Sequence, residues 1–184
     1  MIAYDLIGQT PLVLLENFSD ENVKIYAKLE QFNPGGSIKD RLGKYLIEKA
    51  IDEGRLKEGD TIVEATAGNT GIGLAIASNR HKVKCIIFAP EGFAEEKISI
   101  MKALGADVRR TPKVEGMTGA QQEALAYATR YGYLYMNQFE TKDNPGAYTQ
   151  TLAKQLTDEL SHIDYFVAGV GSGGTFTGVA QHLK

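Results

Sequence analysis

The stretch Val83 to Phe88 does most to limit what this chain can become. It is apolar at every position except Lys84. A strand made of it would be hydrophobic on both faces and would need cover on both. Helix-patterned segments lie on either side in sequence. One runs from about Gly71 to Asn79 and is rich in Ile, Leu and Ala; the other runs from Glu95 to Leu104 and is stopped by Gly105. The same alternation continues along the chain. Leu12 to Leu15 and Lys24 to Glu30 read as short strands, as do Thr61 to Ala65, Asp107 to Thr111, Tyr133 to Asn137 and Tyr165 to Val170. Helices are expected from Ile38 to Gly54, from Thr118 to Tyr131, from an Asn144 cap with Pro145 at the first position to about Leu160, and from Gly174 onward. This pattern predicts an α/β fold, a parallel sheet with flanking helices. Ligands of such sheets sit at the C-terminal ends of the strands.

Three loops that open helices carry the candidate chemistry. In Asn33-Pro34-Gly35-Gly36-Ser37-Ile38-Lys39-Asp40-Arg41 the proline and glycines bend the backbone, and Ser37 with Asp40 forms a variant capping box. Lys39 then lies in the first helical turn, where the helix field disfavours an ammonium and favours a neutral amine. It is either a nucleophile for a carbonyl cofactor or a surface lysine turned to water. Gly171-Ser172-Gly173-Gly174-Thr175 follows an apolar run. Its amides and hydroxyls suit a phosphate without any cation, and the alternative is a tight turn with no ligand. Gly169, Gly171 and Gly174 also fit the dinucleotide fingerprint, but only weakly. Thr66-Ala67-Gly68-Asn69-Thr70 could hold a carboxylate, with Asn69 donating to a phenolate-like oxygen, or could simply cap a helix through Asn69 or Thr70. Gln138, just past a predicted strand, is a substrate donor or a loop amide. Glu64 has no carboxylate partner in sequence that would suggest a glycosidase-like pair.

Composition removes several classes. The 184 residues carry a net charge of −3 without a basic stripe, so neither nucleic acid nor a membrane surface is expected as a partner. An apolar fraction of 43% is enough for a packed core. No apolar run approaches a membrane span, and Met1 does not lead into a signal-like segment. Cys85 is the single cysteine, read as a core residue in a reducing cytosol. His81, His162 and His182 lack metal-ligand spacing and read as solvated surface residues, so no metal is expected.

Taken together, Ile7-Gly8-Gln9-Thr10-Pro11-Leu12, the Asn33 to Arg41 turn, Glu64 to Gly71, Pro90-Glu91 with Ala103 to Ala106, Asn137-Gln138-Phe139 and Ala168 to Thr177 resemble one family. The chain is similar to the N-terminal part of the cysteine synthase and cystathionine β-synthase family, pyridoxal-phosphate enzymes of fold type II. The resemblance implies a covalent imine between Lys39 and pyridoxal 5'-phosphate, and a hydrogen bond from Asn69 to the ring's 3-oxygen. It implies the cofactor phosphate on Gly171, Ser172, Gly173, Gly174 and Thr175, and the substrate carboxylate on Thr66, Ala67, Gly68, Asn69, Thr70 and Gln138. The implied reaction is β-replacement, making cysteine from O-acetylserine and sulfide. The alternative is cystathionine synthesis from O-acetylserine or serine with homocysteine. A cytoplasmic homodimer and two lobes are implied as well, with 1–37 in the larger lobe, 38–146 forming the smaller, and 147–184 returning to the larger.

The sequence departs from the family pattern in two ways. Ala67 stands where the family has serine, a lost hydroxyl worth about 1.5–3 kcal/mol against a charged carboxylate, and Ala65 replaces a proline. With Glu115-Gly116-Met117, these lean toward the homocysteine branch. Family members also continue for roughly another hundred residues, a domain's worth. The expectation is therefore a fragment whose C-terminal lobe is incomplete, with the apolar faces of Tyr165 to Val170 uncovered and with poor stability and activity alone. The rival from another class is a truncated paralogue that binds without catalysing.

Overall fold

A computed structural model describes all of residues 1–184. Two short strands, β1 (Leu12–Leu14) and β2 (Tyr26–Lys28), pair antiparallel with each other and with nothing else. Helix α1 (Lys39–Asp52) follows the glycine turn and ends before Gly54, whose φ of +70° suits a residue without a side chain. The chain then alternates: β3 (Thr61–Ala65), α2 (Asn69–Arg80), β4 (Lys84–Pro90), α3 (Glu95–Ala103), β5 (Asp107–Thr111), α4 (Gly116–Tyr131) and β6 (Leu134–Tyr135). The four strands form one parallel sheet in the order β5-β4-β3-β6. From β3 the chain winds outward through β4 and β5, then returns to the other side of β3. The direction of winding reverses between β3 and β6, which is where open α/β sheets present a crevice.

The strand alternation sorts the core into two faces. Ile62, Cys85, Ile87 and Ala89 join Leu42, Ile47, Leu74 and Ala77 of α1 and α2 in the larger cluster. Val63, Ala65, Ile86 and Phe88 face the small stripe Ala120, Ala124 and Ala128 of α4. Cys85 is buried, as expected, and burial pushes its thiol up to about 12. Helices α1 and α2 cross at glycines. A side chain at Gly43 would overlap the backbone of Gly73, and one at Gly73 would meet the carbonyl of Lys39. The contact is therefore backbone on backbone, at the turn that carries Lys39.

The C-terminal segment is helical from Asp143 to Glu159: α5 (Asp143–Tyr148), one π-helical turn at Thr149–Ala153, and α6 (Lys154–Glu159). Helix α7 (Gly174–Leu183) lies against α5 through Gly174 and Gly178. A side chain at 174 would overlap Asn144, one at 178 would overlap the Pro145 carbonyl, and the Thr149 hydroxyl donates to Gly178 O at 3.0 Å.

Four expectations are corrected. Tyr165 to Val170 forms no strand, and Tyr165 and Val167 are each 90% exposed. A β-strand requires a hydrogen-bonded neighbour, and no other strand of the chain comes alongside it. Asn144 does not cap a helix, because the helix has already begun at Asp143 and the Asn144 amide turns inward. Pro145 is consequently past the first position. The capping box is half formed: the Ser37 hydroxyl accepts from Lys39 N at 3.1 Å, but the Asp40 carboxylate reaches back to Gly35 N instead of Ser37. His81 is not simply solvated, since its ring stands edge-on to Tyr4 at 5.7 Å and its Nε2 lies 3.2 Å from the Tyr4 hydroxyl.

Candidate active site

The turn before α1 is held rigid by a buried polar network. Arg41, 2% exposed, makes a two-pronged pair with Glu30, Nε to Oε2 and Nη2 to Oε1, both at 2.8 Å. The same guanidinium donates to Gly8 O at 2.9 Å and to Gln155 Oε1 at 2.8 Å. Asn33 donates to Glu30 Oε2 at 2.9 Å and accepts from Gly8 N at 2.7 Å. Charge-assisted, bidentate bonds of this kind fix geometry as well as adding energy. They join the N-terminal segment, the turn and α6 into one support beneath Lys39. Asp40 is fully buried, and burial pushes its carboxyl up to about 6.

Lys39 points from this support into the space between α1, the end of the sheet and the second glycine loop. Its Nζ donates to Ser172 Oγ at 3.1 Å and stands 6.0 Å from the centre of the Tyr148 ring. Burial lowers the amine's affinity for a proton, and the charge of Glu64 pulls the other way. Lys39 and Ser172, 133 positions apart in sequence, are thus in direct contact.

The Thr66–Thr70 loop leaves the C-terminal end of β3. The Thr66 hydroxyl accepts from Gly68 N at 3.1 Å and closes the loop. The Thr70 hydroxyl donates to Gln138 Oε1 at 2.7 Å, so this loop and Gln138 act as one unit. Gly68 is the residue before α2, and neither Asn69 nor Thr70 caps it. Asn69 is half-buried, and Ala67 packs on the larger core cluster. In the glycine loop, Gly173 has a φ of +82° and opens α7. The backbone N–H groups from Gly171 to Phe176 donate to no acceptor in the chain. Such a run of free donors at a helix start is chemistry suited to an anion. Thr175 lies beside the Tyr148 hydroxyl.

Two residues central to this arrangement had no place in the site from sequence alone, where Glu64 showed no carboxylate partner and Asn144 read as a helix cap. Glu64 shares the β3 face of Ile62 and is 0% exposed. Its Oε1 accepts from Ala65 N at 2.7 Å and its Oε2 from Gln138 N at 3.0 Å, tying β3 to the segment after β6 across the crevice. Burial pushes its carboxyl up to about 7, against those two donors and Lys39. The available signal was an acidic residue inside an apolar strand, which demands partners wherever the strand is buried. Asn144 is 1% exposed and donates from Nδ2 to Gln138 O at 2.7 Å and to Ser172 Oγ at 3.0 Å. Nothing local distinguished it from a cap.

A family profile described as "Pyridoxal-phosphate dependent enzyme" matches residues 3–184. The chain is 51% identical over 183 residues to the O-acetylserine dependent cystathionine beta-synthase of Bacillus subtilis, covering 98% of this chain and 60% of that protein. It is 49% identical over 186 residues to a cysteine synthase of Helicobacter pylori, again covering 98% of this chain and 60% of the relative. Among solved structures, the O-acetylserine dependent cystathionine beta-synthase of Helicobacter pylori superposes with a TM-score of 0.92 at 46% identity, over 100% of this chain and 62% of that one. An O-ureido-L-serine synthase superposes with a TM-score of 0.91 at 37% identity, over 98% and 58%. The chain spans about 60% of the length of the curated relatives it matches.

Proposed function

This chain belongs to the pyridoxal-phosphate-dependent enzyme family, and from that membership we propose that it carries the cofactor-binding and carboxylate-binding part of a β-replacement enzyme. The observation that carries the reading is the 3.1 Å contact between Lys39 Nζ and Ser172 Oγ. It brings a part-buried amine against a glycine loop whose amides are free to bind an anion. The residues fit pyridoxal 5'-phosphate: Lys39 would hold its carbonyl carbon, Asn69 its ring oxygen, and Gly171, Ser172, Gly173, Gly174 and Thr175 its phosphate. When bound, the cofactor supplies an electron sink for charge at a substrate's α-carbon.

The chain's own residues supply placement and proton transfer. Thr66, Gly68, Asn69, Thr70 and Gln138 orient the carboxylate of an amino acid, and Ala67 leaves that loop one hydroxyl poorer. Glu64 ties the end of β3, from which the loop leaves, to Gln138 by accepting from Ala65 N and Gln138 N. Lys39 Nζ is the group placed to take the α-proton, and burial lowers its affinity for a proton while the charge of Glu64 raises it. The leading assignment is cysteine biosynthesis, with O-acetylserine as amino-acid substrate and sulfide as nucleophile. A second assignment, homocysteine as nucleophile, is favoured by the 51% identity to a relative named for cystathionine synthesis. The same reading includes a homodimer and a reducing cytoplasm; the free, buried Cys85 is in keeping with the latter. No helix is long and apolar enough to cross a membrane.

The test is direct. The protein is mixed with pyridoxal 5'-phosphate, treated with borohydride, digested and mapped by mass. The reading expects one modified peptide, containing Lys39. No adduct, or one spread over surface lysines, defeats it. Sulfide and homocysteine, each offered with O-acetylserine, then separate the two assignments by product.

A further inference from the structure

We propose that Asn144 is the positioning residue that sets the glycine loop at its working distance from Lys39 and Gln138. This rests on the reading above that the loop takes the cofactor phosphate. Asn144 is 1% exposed, at the foot of α5 and between the two halves of the site. Its Nδ2 donates to Gln138 O at 2.7 Å and to Ser172 Oγ at 3.0 Å. A carbonyl oxygen only accepts, so the first bond fixes which end of the amide is nitrogen. Both N–H groups of Nδ2 are thereby committed, one to the substrate side and one to the loop.

Ser172 Oγ also accepts from Lys39 Nζ at 3.1 Å. In the free protein two donors occupy its lone pairs; once Lys39 holds the carbonyl carbon, the Asn144 N–H still occupies one and keeps the serine's own O–H pointing away from it. Asn144 therefore orients the Ser172 hydroxyl as a donor, in the same sense as the free amides beside it. The other end of the amide performs a second task. Its Oδ1 has no hydrogen-bond partner and occupies the place where a side chain at residue 174 would begin. This packing admits only glycine at the first residue of α7. Together with Gly178 against the Pro145 carbonyl, it brings the start of α7 onto α5. The loop's position is thus taken from α5 through Asn144, while Gln138 takes its own from Asn144 and Glu64.

A residue that acts on the phosphate loop should affect the phosphate and little else. The full chain and its Asn144→Ala variant are titrated with pyridoxal 5'-phosphate and, separately, with pyridoxal, which has the same carbonyl and ring but no phosphate. Borohydride trapping at Lys39 confirms the site in each case. Without Asn144 the Ser172 hydroxyl is no longer oriented as a donor to the phosphate, and loss of that one charge-assisted bond predicts about tenfold weaker binding of the phosphate ester. Binding of pyridoxal should stay within about twofold. If both affinities fall by the same factor, or neither falls, the proposal is overturned. Should the alanine variant melt before the titration, Asn144→Ser, which removes the same donors and leaves a smaller void, is judged by the same ratio. A wild-type chain that forms no Lys39 adduct with either aldehyde would instead overturn the cofactor reading, and this proposal with it.

Discussion

Substituting Gly73→Ala tests whether backbone contact between α1 and α2 positions Lys39. A methyl group at 73 would lie 2.5 Å from the Lys39 carbonyl oxygen and 3.1 Å from Asp40 Cα. Ordinary contact begins near 3.4 Å, so the first turn of α1 must retreat by about 0.9 Å, and the obstructing atoms are main chain that cannot swing aside. Alanine in a helix interior is worth about 1 kcal/mol over glycine, whereas overpacking costs about 1–3 kcal/mol. The balance predicts a net loss of roughly 0–2 kcal/mol in denaturant unfolding. The effect on the site should be much larger than that on stability. A displacement of about 1 Å at a reacting group costs on the order of a hundredfold in rate. The assay is the rate of covalent adduct formation at Lys39 with pyridoxal 5'-phosphate, measured beside the unfolding curve of each protein. A variant stabilised by the full helix-propensity gain, with an unchanged adduct rate, would refute the argument that these glycines place the amine.

Three further outcomes follow from the same contacts. Burial holds the Lys39 amine below its ordinary value of 10.5 while Glu64 raises it, so the pH midpoint of adduct formation should lie below 10.5 and move lower still in Glu64→Gln; an upward move would contradict the pairing. Asp40 titrates near 6 when folded against 3.8 when free, so it favours the folded state least once pH has risen through 6; Asp40→Asn should remove a loss of about 3 kcal/mol between pH 4 and 6, read as the difference between the two stability–pH curves, and parallel curves would exclude it. Thr70→Val leaves Gln138 Oε1 without its 2.7 Å donor, a buried acceptor worth about 1–3 kcal/mol; calorimetry should show that loss, and unaltered stability would mean that water replaces the hydroxyl.

The sequence by itself determined the parts whose demands are local. Glycine and proline restrict the backbone over a few residues, so the turn before Lys39, the helix stops at Gly54, Gly105 and Gly132, and the loops at Thr66 and Gly171 were legible. Strand alternation and helix spacing gave the α/β class for the same reason. The periodicity of Tyr165 to Val170 also read as strand, but periodicity does not supply the neighbour that a strand requires. Only tertiary structure decided the order β5-β4-β3-β6, and with it the crevice between β3 and β6. Glu64 meets Gln138 across 74 positions, and Asn144 meets Ser172 across 28. A buried polar group announces that it needs a partner, but the partner's identity depends on which distant segments the fold brings alongside. Gly43 and Gly73 illustrate the same division: glycine weakens a helix taken alone, and here the two are where two backbones touch.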